Sequence, residues 1–312
     1  MTCSSVRSTS VRMRCTQRPV SFYVLLALVT QNASLILVSK YSFRDTAPPY
    51  SQKLVVLLAE LLKFTACCLA EGWSCGFNTI TRKLRFTKSN VAVLAPCLLY
   101  LVQNNLQLMA IQELPTNVYV VCSQLKTVTS AFFGVCILRK PLRKQQALSI
   151  LLLITGVSMV QVEYTPSQVN SPIHTSGLIS VIVACIFSGL AGTLLEKWYK
   201  QSGASLWCRN MFLSFVTLPA ALLSMFTEVL PLQSISNFDS VVYLVIVLQA
   251  AGGLIVAGVM KFSSNLLKCF AVSISIILCS VAGFQLSNDE ISVLAMVGTC
   301  LVIVSIWLFA AK

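Results

Sequence analysis

Ten long apolar stretches run through this chain, and the polar connections between them alternate between basic and acidic. The N-terminal tail, the even-numbered connections and the C-terminus hold 18 of the 23 Lys and Arg residues. The odd-numbered connections hold 7 of the 10 Asp and Glu residues. Because Lys and Arg accumulate in cytosolic loops, this pattern predicts an even number of membrane spans with both termini in the cytosol. The formal net charge of +13 is then a sign of membrane topology and does not indicate nucleic-acid binding.

The length and composition of the apolar stretches predict an all-α integral membrane protein. Hydrophobic residues make up 56% of the chain and charged residues 11%, which excludes a soluble fold. Each stretch is long enough to cross a bilayer, and lipid offers no partner to an unpaired backbone group, so the spans should be helices. The predicted spans are residues 20–40, 51–71, 91–111, 117–138, 146–162, 177–196, 210–227, 240–260, 269–287 and 291–311.

These spans are predicted to form one ten-helix domain, residues 20–312, behind a basic and disordered cytosolic tail, residues 1–19. The domain divides into halves of five spans, residues 20–162 and 177–311. Because five is odd, the second half enters the membrane from the opposite side, so the halves would be inverted repeats. Thr155-Gly156-Val-Ser-Met-Val160 in span five has a modest echo in Val297-Gly298-Thr-Cys-Leu-Val302 in span ten. Inverted repeats with a binding site near the midplane are typical of transporters.

One cation is predicted to lie inside the membrane. Lys126 is near the middle of the fourth span, and no acid in that span can neutralise it. Tyr119, Ser123 and Lys126 share one helical face at spacings of four and three. A charge at the bilayer centre costs roughly 2.5–3.5 kcal/mol on insertion scales, so Lys126 requires a partner or a function. It either pairs with Glu60 of the second span or faces an aqueous cavity that admits an anion.

Three consecutive amides, Gln103, Asn104 and Asn105, occupy the middle of the third span. Successive residues of a helix point about 100° apart, so at most two of them share a face. Amides donate and accept hydrogen bonds, which suits the edge of a nucleobase. They also join neighbouring helices. The sequence leaves both interpretations open.

Other charged residues near or within the spans also have two interpretations. Glu60 and Lys63 are three residues apart in the second span, where they can form a structural ion pair or serve as a gate beside a ligand. Lys261 and Lys268 flank the eighth connection, where the distribution of charge across the membrane explains them without a ligand. A ligand-binding role is the alternative for both lysines.

Five short motifs occur in order along the chain, and the resemblance that they carry extends over nearly all of it after residue 20. They are Tyr100-Leu-Val-Gln103-Asn104-Asn105, Ser123-Gln124-Leu-Lys126, Phe187-Ser188-Gly189-Leu-Ala191-Gly192 with Glu196-Lys197, Leu206-Trp207-Cys-Arg209-Asn210, and Gly252-Gly253 followed by Lys261 and Lys268. In this combination the sequence resembles the nucleotide-sugar transporter family, in the branch that holds the CMP-sialic acid, UDP-galactose and UDP-N-acetylglucosamine carriers. The resemblance implies the drug/metabolite transporter fold, with ten transmembrane helices as two inverted five-helix repeats.

The resemblance also implies a nucleotide site. Its residues fall on Asn104, Tyr119, Lys126, Ser188, Asn210 and Lys268, to which we add Asn105 and Lys261 as candidates. Lysines bind phosphates as mobile point charges. Ser123 and Ser264 depart from the Tyr and Asp usual in the family. Ser214 stands where CMP-sialic acid carriers have Tyr, which favours a UDP-sugar.

The function that the resemblance implies is an antiporter of the Golgi membrane, with the endoplasmic reticulum as the alternative compartment. It would exchange a cytosolic pyrimidine nucleotide sugar, UDP-galactose or UDP-N-acetylglucosamine before CMP-sialic acid, for a lumenal nucleoside monophosphate. A homo-oligomer or an associated glycosyltransferase is a possible partner. One alternative is a non-transporting scaffold or regulator, which has no need of an unpaired Lys126. A triose-phosphate-like carrier is a lesser alternative, with less use for the amides.

The sequence predicts neither an enzyme nor a cofactor. It holds no nucleophile with a base at motif spacing, no metal-ligand spacing and no glycine loop that could cradle a phosphate. Its one histidine, His174, falls in an acidic connection and is interpreted as a solvated loop residue.

Overall fold

The computed structural model describes residues 4–42, 50–76, 80–84, 87–164, 174–201, 205–225, 238–287 and 293–310. All regular secondary structure in these residues is helical. The helices are α1 (Ser4–Ser42), α2 (Gln52–Cys75), α3 (Ile80–Lys83), α4 (Lys88–Val91), α5 (Leu94–Glu113), α6 (Thr116–Ser123), α7 (Leu125–Leu138), α8 (Lys144–Tyr164), α9 (Thr175–Lys200), α10 (Leu206–Met225), α11 (Ser240–Phe262), α12 (Asn265–Ser287) and α13 (Val293–Ala310).

Within the described residues, 7 helical segments are long and apolar enough to cross a membrane. They lie in α1, α5, α6 with α7, α8, α9, α10 and α11. Shorter apolar helices occupy Asn265–Ser280 in α12 and Val293–Phe309 in α13. The remaining long helix, α2, carries Glu60 and Lys63 within its length. The chain is therefore an all-helical, multi-pass membrane protein.

The N-terminal tail differs from the prediction of disorder, because α1 begins at Ser4 and continues through the first span. Pro19 lies inside this helix and has no backbone N–H, so one bond of the ladder is missing where the tail joins the span. Residues 4–18 contain no Gly or Pro, and extending a helix is easier than nucleating one. The basic tail is thus a helical extension of the first span.

The fourth predicted span is interrupted at Gln124. The Gln124 amide donates to the carbonyl of Val121 at 3.1 Å, and the Thr127 amide donates to the carbonyl of Gln124 at 3.0 Å. These bonds skip three residues instead of four, which is the tighter 3₁₀ pattern. The Gln124 side chain is buried and donates to Gln161 Oε1 of α8 at 3.2 Å. The interruption separates α6 from α7 directly before Lys126.

The helices of the two halves pack in a reciprocal pattern. We match α1, α2, α5, α6 with α7, and α8 in order with α9 to α13. The most extensive contacts then have counterparts, although α11 packs on α2 much more extensively than α5 packs on α10. The packing of α5 on α9 corresponds to that of α11 on α1, and the packing of α7 on α9 to that of α12 on α1. The pairs α2 with α10 and α8 with α13 correspond to themselves.

The contact between α8 and α13 centres on two glycines. A Cβ at Gly156 would lie 2.6 Å from the Gly298 carbonyl oxygen and 2.8 Å from Val302 Cγ2. A Cβ at Gly298 would lie 2.7 Å from the Gly156 carbonyl oxygen and 2.9 Å from Val160 Cγ2. Each valine follows its own glycine by four residues. These are the two segments that echo each other in the sequence, and only glycine permits this close approach.

Candidate functional site

Two predicted site lysines lie on neighbouring helices, α7 and α12. Asn265 Nδ2 donates to Ser130 Oγ at 3.1 Å, which joins the first turn of α12 to α7. Lys126 precedes Ser130 by about one helical turn, and its carbonyl accepts the Ser130 hydroxyl at 2.7 Å. Lys268 follows Asn265 by about one turn. Each lysine is thus one turn away from the same contact.

The directions of the helices place both lysines at the same depth. Cys185 of α9 contacts the carbonyls of Cys122 and Ser123, while Glu196, further along α9, contacts Lys140, which follows α7. The span of α6 and α7 therefore runs parallel to α9. Consecutive spans alternate in direction, and α12 is the third helix after α9, so α12 runs antiparallel to α9. Since Lys126 lies before its contact residue and Lys268 after, both are displaced toward the same side of the bundle.

Glycines of α9 allow this arrangement. A Cβ at Gly189 would lie 2.5 Å from Thr129 Oγ1 and 2.6 Å from the Thr129 carbonyl carbon of α7. A Cβ at Gly192 would overlap the side chain of Asn265. The predicted site residue Ser188, which is half-buried, directly precedes Gly189. Close approach at the two glycines thus brings Ser188 beside the pair of helices that carry the lysines.

Lys126 does not pair with Glu60. It is half-buried, and no carboxylate of the described residues forms an ion pair with it. Glu60 Oε1 instead accepts Lys63 Nζ at 2.5 Å, and Glu60 Oε2 accepts the Thr217 hydroxyl at 2.8 Å. The ion pair between Lys126 and Glu60 is therefore not formed, and Lys126 is a cation that can bind an anion.

The second lysine, Lys268, lies within electrostatic range of Tyr100 of α5 and of Glu196 of α9. Asn104 lies one turn beyond Tyr100 on the same face of α5, and its side chain is exposed. The amide of Asn104 is thus on the side of α5 that faces Lys268.

The three amides of α5 have three different environments. Asn105 is exposed and donates to the carbonyl of Leu101 in its own helix at 2.9 Å. Its exposed neighbours, Leu101 and Leu108, are apolar. Gln103 is buried against the α9 side, and its Oε1 has no hydrogen-bond partner among the described residues. Asn104 and Asn105 are both exposed, and the buried amide is Gln103, which was not among the predicted site residues.

A row of polar groups on α10 leads to the Glu60–Lys63 pair. Asn210 is fully buried, and its Oδ1 accepts the Tyr199 hydroxyl at 2.9 Å. Asn210 Nδ2 and Ser214 Oγ, one turn later, are buried without a partner in the part of the chain that the structure describes. Thr217 continues the row and contacts Glu60. The spacings of four and three between positions 210, 214 and 217 could have revealed this face in the sequence.

The other two predicted site residues lie further along the bundle. Tyr119 of α6 packs on the cluster formed by Ala110, Leu114 and Val181. Lys261 lies in the last turn of α11, and its Nζ is 5.8 Å from the centroid of the Phe262 ring. Tyr119 is thus on the α6 side of the interruption that precedes Lys126, whereas Lys261 is at the opposite end of the bundle.

Comparison with known proteins gives the chain its family. The model of the nucleotide-sugar transporter family matches residues 16–310. A UDP-galactose translocator of Mus musculus is 34% identical over 94% of this chain and 79% of its own length. A UDP-N-acetylglucosamine transporter of Bos taurus is 34% identical over 90% of this chain and 92% of its own length.

Two further similarities agree. A Caenorhabditis elegans transporter of UDP-N-acetylglucosamine and UDP-N-acetylgalactosamine is 33% identical over 91% of both chains. One crystal structure superposes with a TM-score of 0.70 over 94% of this chain and 98% of the other, at 13% identity, which supports the fold alone. The relatives of this chain named above are carriers, not enzymes. This multi-pass helical chain therefore belongs to the nucleotide-sugar transporter family.

Proposed function

We propose that this protein is an antiporter that exchanges a cytosolic UDP-sugar for a lumenal nucleoside monophosphate in the Golgi membrane. The observation that carries the proposal is the pair Lys126 and Lys268, which lie at one depth in a membrane bundle on adjacent helices. A cation without a carboxylate partner is costly at this depth, and the phosphates of a nucleotide would compensate it. The similarity to UDP-galactose and UDP-N-acetylglucosamine carriers favours UDP as the nucleotide.

Other groups near the lysines can recognise the rest of the ligand. The exposed amide of Asn104 can pair with the edge of a pyrimidine. Ser188 is next to the helix that carries Lys126. The spare donor of Asn210 and the hydroxyl of Ser214 are polar groups that lack a partner in the described residues, and such groups favour a ligand that provides one.

The same proposal includes ten spans arranged as two inverted repeats, with both termini in the cytosol. The reciprocal contacts of Gly156 and Gly298, and the matched packing of the two halves, are what a two-fold relation in the membrane plane requires. Such a relation allows alternating access. A motion of one half that opens the site to one side of the membrane has a counterpart in the other half that opens it to the opposite side.

Exchange is expected to appear as stimulated uptake. The purified protein in proteoliposomes should take up labelled UDP-galactose or UDP-N-acetylglucosamine faster when the vesicles are preloaded with UMP than when they are empty. A ligand inside favours return of the binding site, since each facing state is stabilised by its differential affinity for ligand. GMP and AMP inside should stimulate less than UMP.

Two results would contradict this reading. Equal initial rates in empty and preloaded vesicles, after subtraction of leak, would indicate a uniporter. Absence of uptake and of nucleotide binding for every nucleotide sugar tested would favour the non-transporting scaffold.

The orientation of the chain is expected to place His174 in the lumen. His174 directly precedes α9 and is exposed, and it belongs to an acidic connection. A cysteine introduced at His174 in sealed Golgi vesicles should react with a membrane-impermeant maleimide only after the membrane is opened. Labelling of residue 174 itself, followed on its own peptide, from the cytosolic side of intact vesicles would contradict the proposed topology.

A further inference from the structure

The Glu196 carboxylate is the centre of a buried network at one end of the bundle. This end, which holds Lys83, Lys140, Lys200 and Lys261, is predicted to face the cytosol and is called here the basic end. The side chain of Glu196 is only 2% exposed. Its Oε1 accepts Lys140 at 2.7 Å and Lys200 at 2.6 Å, and its Oε2 accepts the backbone amide of Asn265 at 2.7 Å. The sequence alone gives Glu196 no such role, because charges near span ends are common.

This network is connected to both site lysines. Glu196 caps the first turn of α12, the helix that carries Lys268, by accepting the amide of its first residue, Asn265. The Asn265 side chain contacts Ser130, which in turn donates to the carbonyl of Lys126. A displacement of Glu196 therefore moves the start of α12 and the contact that sets both lysines.

The network also joins the two halves of the chain. Lys140 follows α7 in the first half, whereas Glu196 and Lys200 belong to α9 in the second. A second buried carboxylate, Glu71 of α2, makes a similar link at the same end: it pairs with Lys83 and accepts the hydroxyl of Ser205, which directly precedes α10. Two buried carboxylates thus hold the halves together at the basic end.

The helices of the site converge at this end. The fourth span consists of α6 and α7. Of these two helices, α7 packs on α12 and is followed by basic residues, whereas α6 packs on α8 and α9. The helices α7 and α12 are therefore in direct contact near the basic end, through Asn265 and Ser130. Separation of this contact would open a path from that side toward the two lysines.

We propose that Glu196 is a positioning residue that couples closure of the basic end to the alignment of Lys126 and Lys268, with its bond to Lys140 as the part that opens. This inference rests on the proposed transport function. Lys140 is the weaker partner, because its side chain is 52% exposed and water can replace its contact. Lys200 lies four residues from Glu196 on the same helix and stays with it, so the buried carboxylate is never left without a cation.

A native cysteine reports the state of this contact. Cys269 follows Lys268, is 7% exposed, and has its Sγ 3.7 Å from Ser130 Oγ. It should react with N-ethylmaleimide only when α12 moves away from α7. Cys185 of α9 is 3% exposed and contacts the carbonyls of Cys122 and Ser123, away from the basic end, so it reports general unfolding. The ratio of Cys269 to Cys185 labelling, measured on peptides by mass spectrometry, isolates the local opening.

The test compares Lys140→Gln with Lys144→Gln. Lys144 is an exposed lysine of the same connection, and no described carboxylate pairs with it. Loss of a partly exposed ion pair should raise Cys269 labelling roughly two- to fivefold in Lys140→Gln, and leave it unchanged in Lys144→Gln. Equal labelling of Cys269 in both variants and the wild type would overturn the coupling.

A second variant tests the positioning role itself. Glu196→Gln removes the charge but keeps an oxygen for the Asn265 amide. It should raise Cys269 labelling further and lower the affinity for UMP about tenfold or more, with a smaller change for uridine, which has no phosphate. Affinity for UMP equal to that of the wild type would refute the positioning role. If the wild type itself binds no nucleotide, the proposed function fails, and the Lys140→Gln labelling still decides the closure.

Discussion

Replacing Lys126 with Gln is expected to weaken binding of UMP about 10- to 150-fold, which corresponds to loss of a charge-assisted contact of about 1.5–3 kcal/mol. Lys126 is half-buried, and no carboxylate of the described residues pairs with it. Gln keeps most of the length and polarity of the side chain, so the bundle should still fold. Competition by UMP against a labelled nucleotide sugar, measured on the purified variant, gives the affinity.

Uridine provides the matched control, because it has the base and ribose of UMP but no phosphate. Its affinity should change much less than that of UMP in Lys126→Gln, while Lys144→Gln, at an exposed connection, should leave both unchanged. A folded Lys126→Gln variant that binds UMP as tightly as the wild type would show that Lys126 has only a structural role, and the site assignment would then be wrong.

Gly156→Ala is expected to destabilise the fold by about 1–3 kcal/mol, the range for an added methyl group in a well-packed core. The new Cβ would lie 2.6 Å from the carbonyl oxygen of Gly298, which is backbone and cannot rotate away. The crossing of α8 and α13 would have to separate, and with it the contacts of Val160 and Val302. A lower apparent melting temperature of the detergent-purified variant measures the effect.

Gly134→Ala is the control for this substitution. Gly134 lies within α7, and a Cβ there meets nothing within 4 Å. Ala is favoured over Gly inside a helix by roughly 0.5–1 kcal/mol, so Gly134→Ala should be neutral or slightly stabilising. Opposite signs at the two glycines are thus expected from the same chemical change. A melting temperature for Gly156→Ala at or above that of Gly134→Ala would contradict the packing described here.

The sequence by itself was enough to predict the class of fold and most of the helices. Hydropathy and length are local properties, and a backbone in lipid has few alternatives to the helix, so the apolar stretches predicted as spans are largely helical where the structure describes them. Lys126 could be singled out for the same reason, because a cation in an apolar helix is costly wherever its neighbours lie. The interruption at Gln124 was not predicted, since no Gly or Pro marks it.

The partners of the polar residues were decided only by the tertiary structure. The sequence allowed Glu60 to pair with Lys126 or with Lys63; in the structure it pairs with Lys63 of its own helix, and packing of α2 on α10 adds Thr217. It also left open which of the three amides is buried, and the packing of α5 buries Gln103 while Asn104 and Asn105 stay exposed. Hydropathy and periodicity show that a polar group needs a partner, but the distance between two helices, which here depends on single glycines, determines which group that partner is.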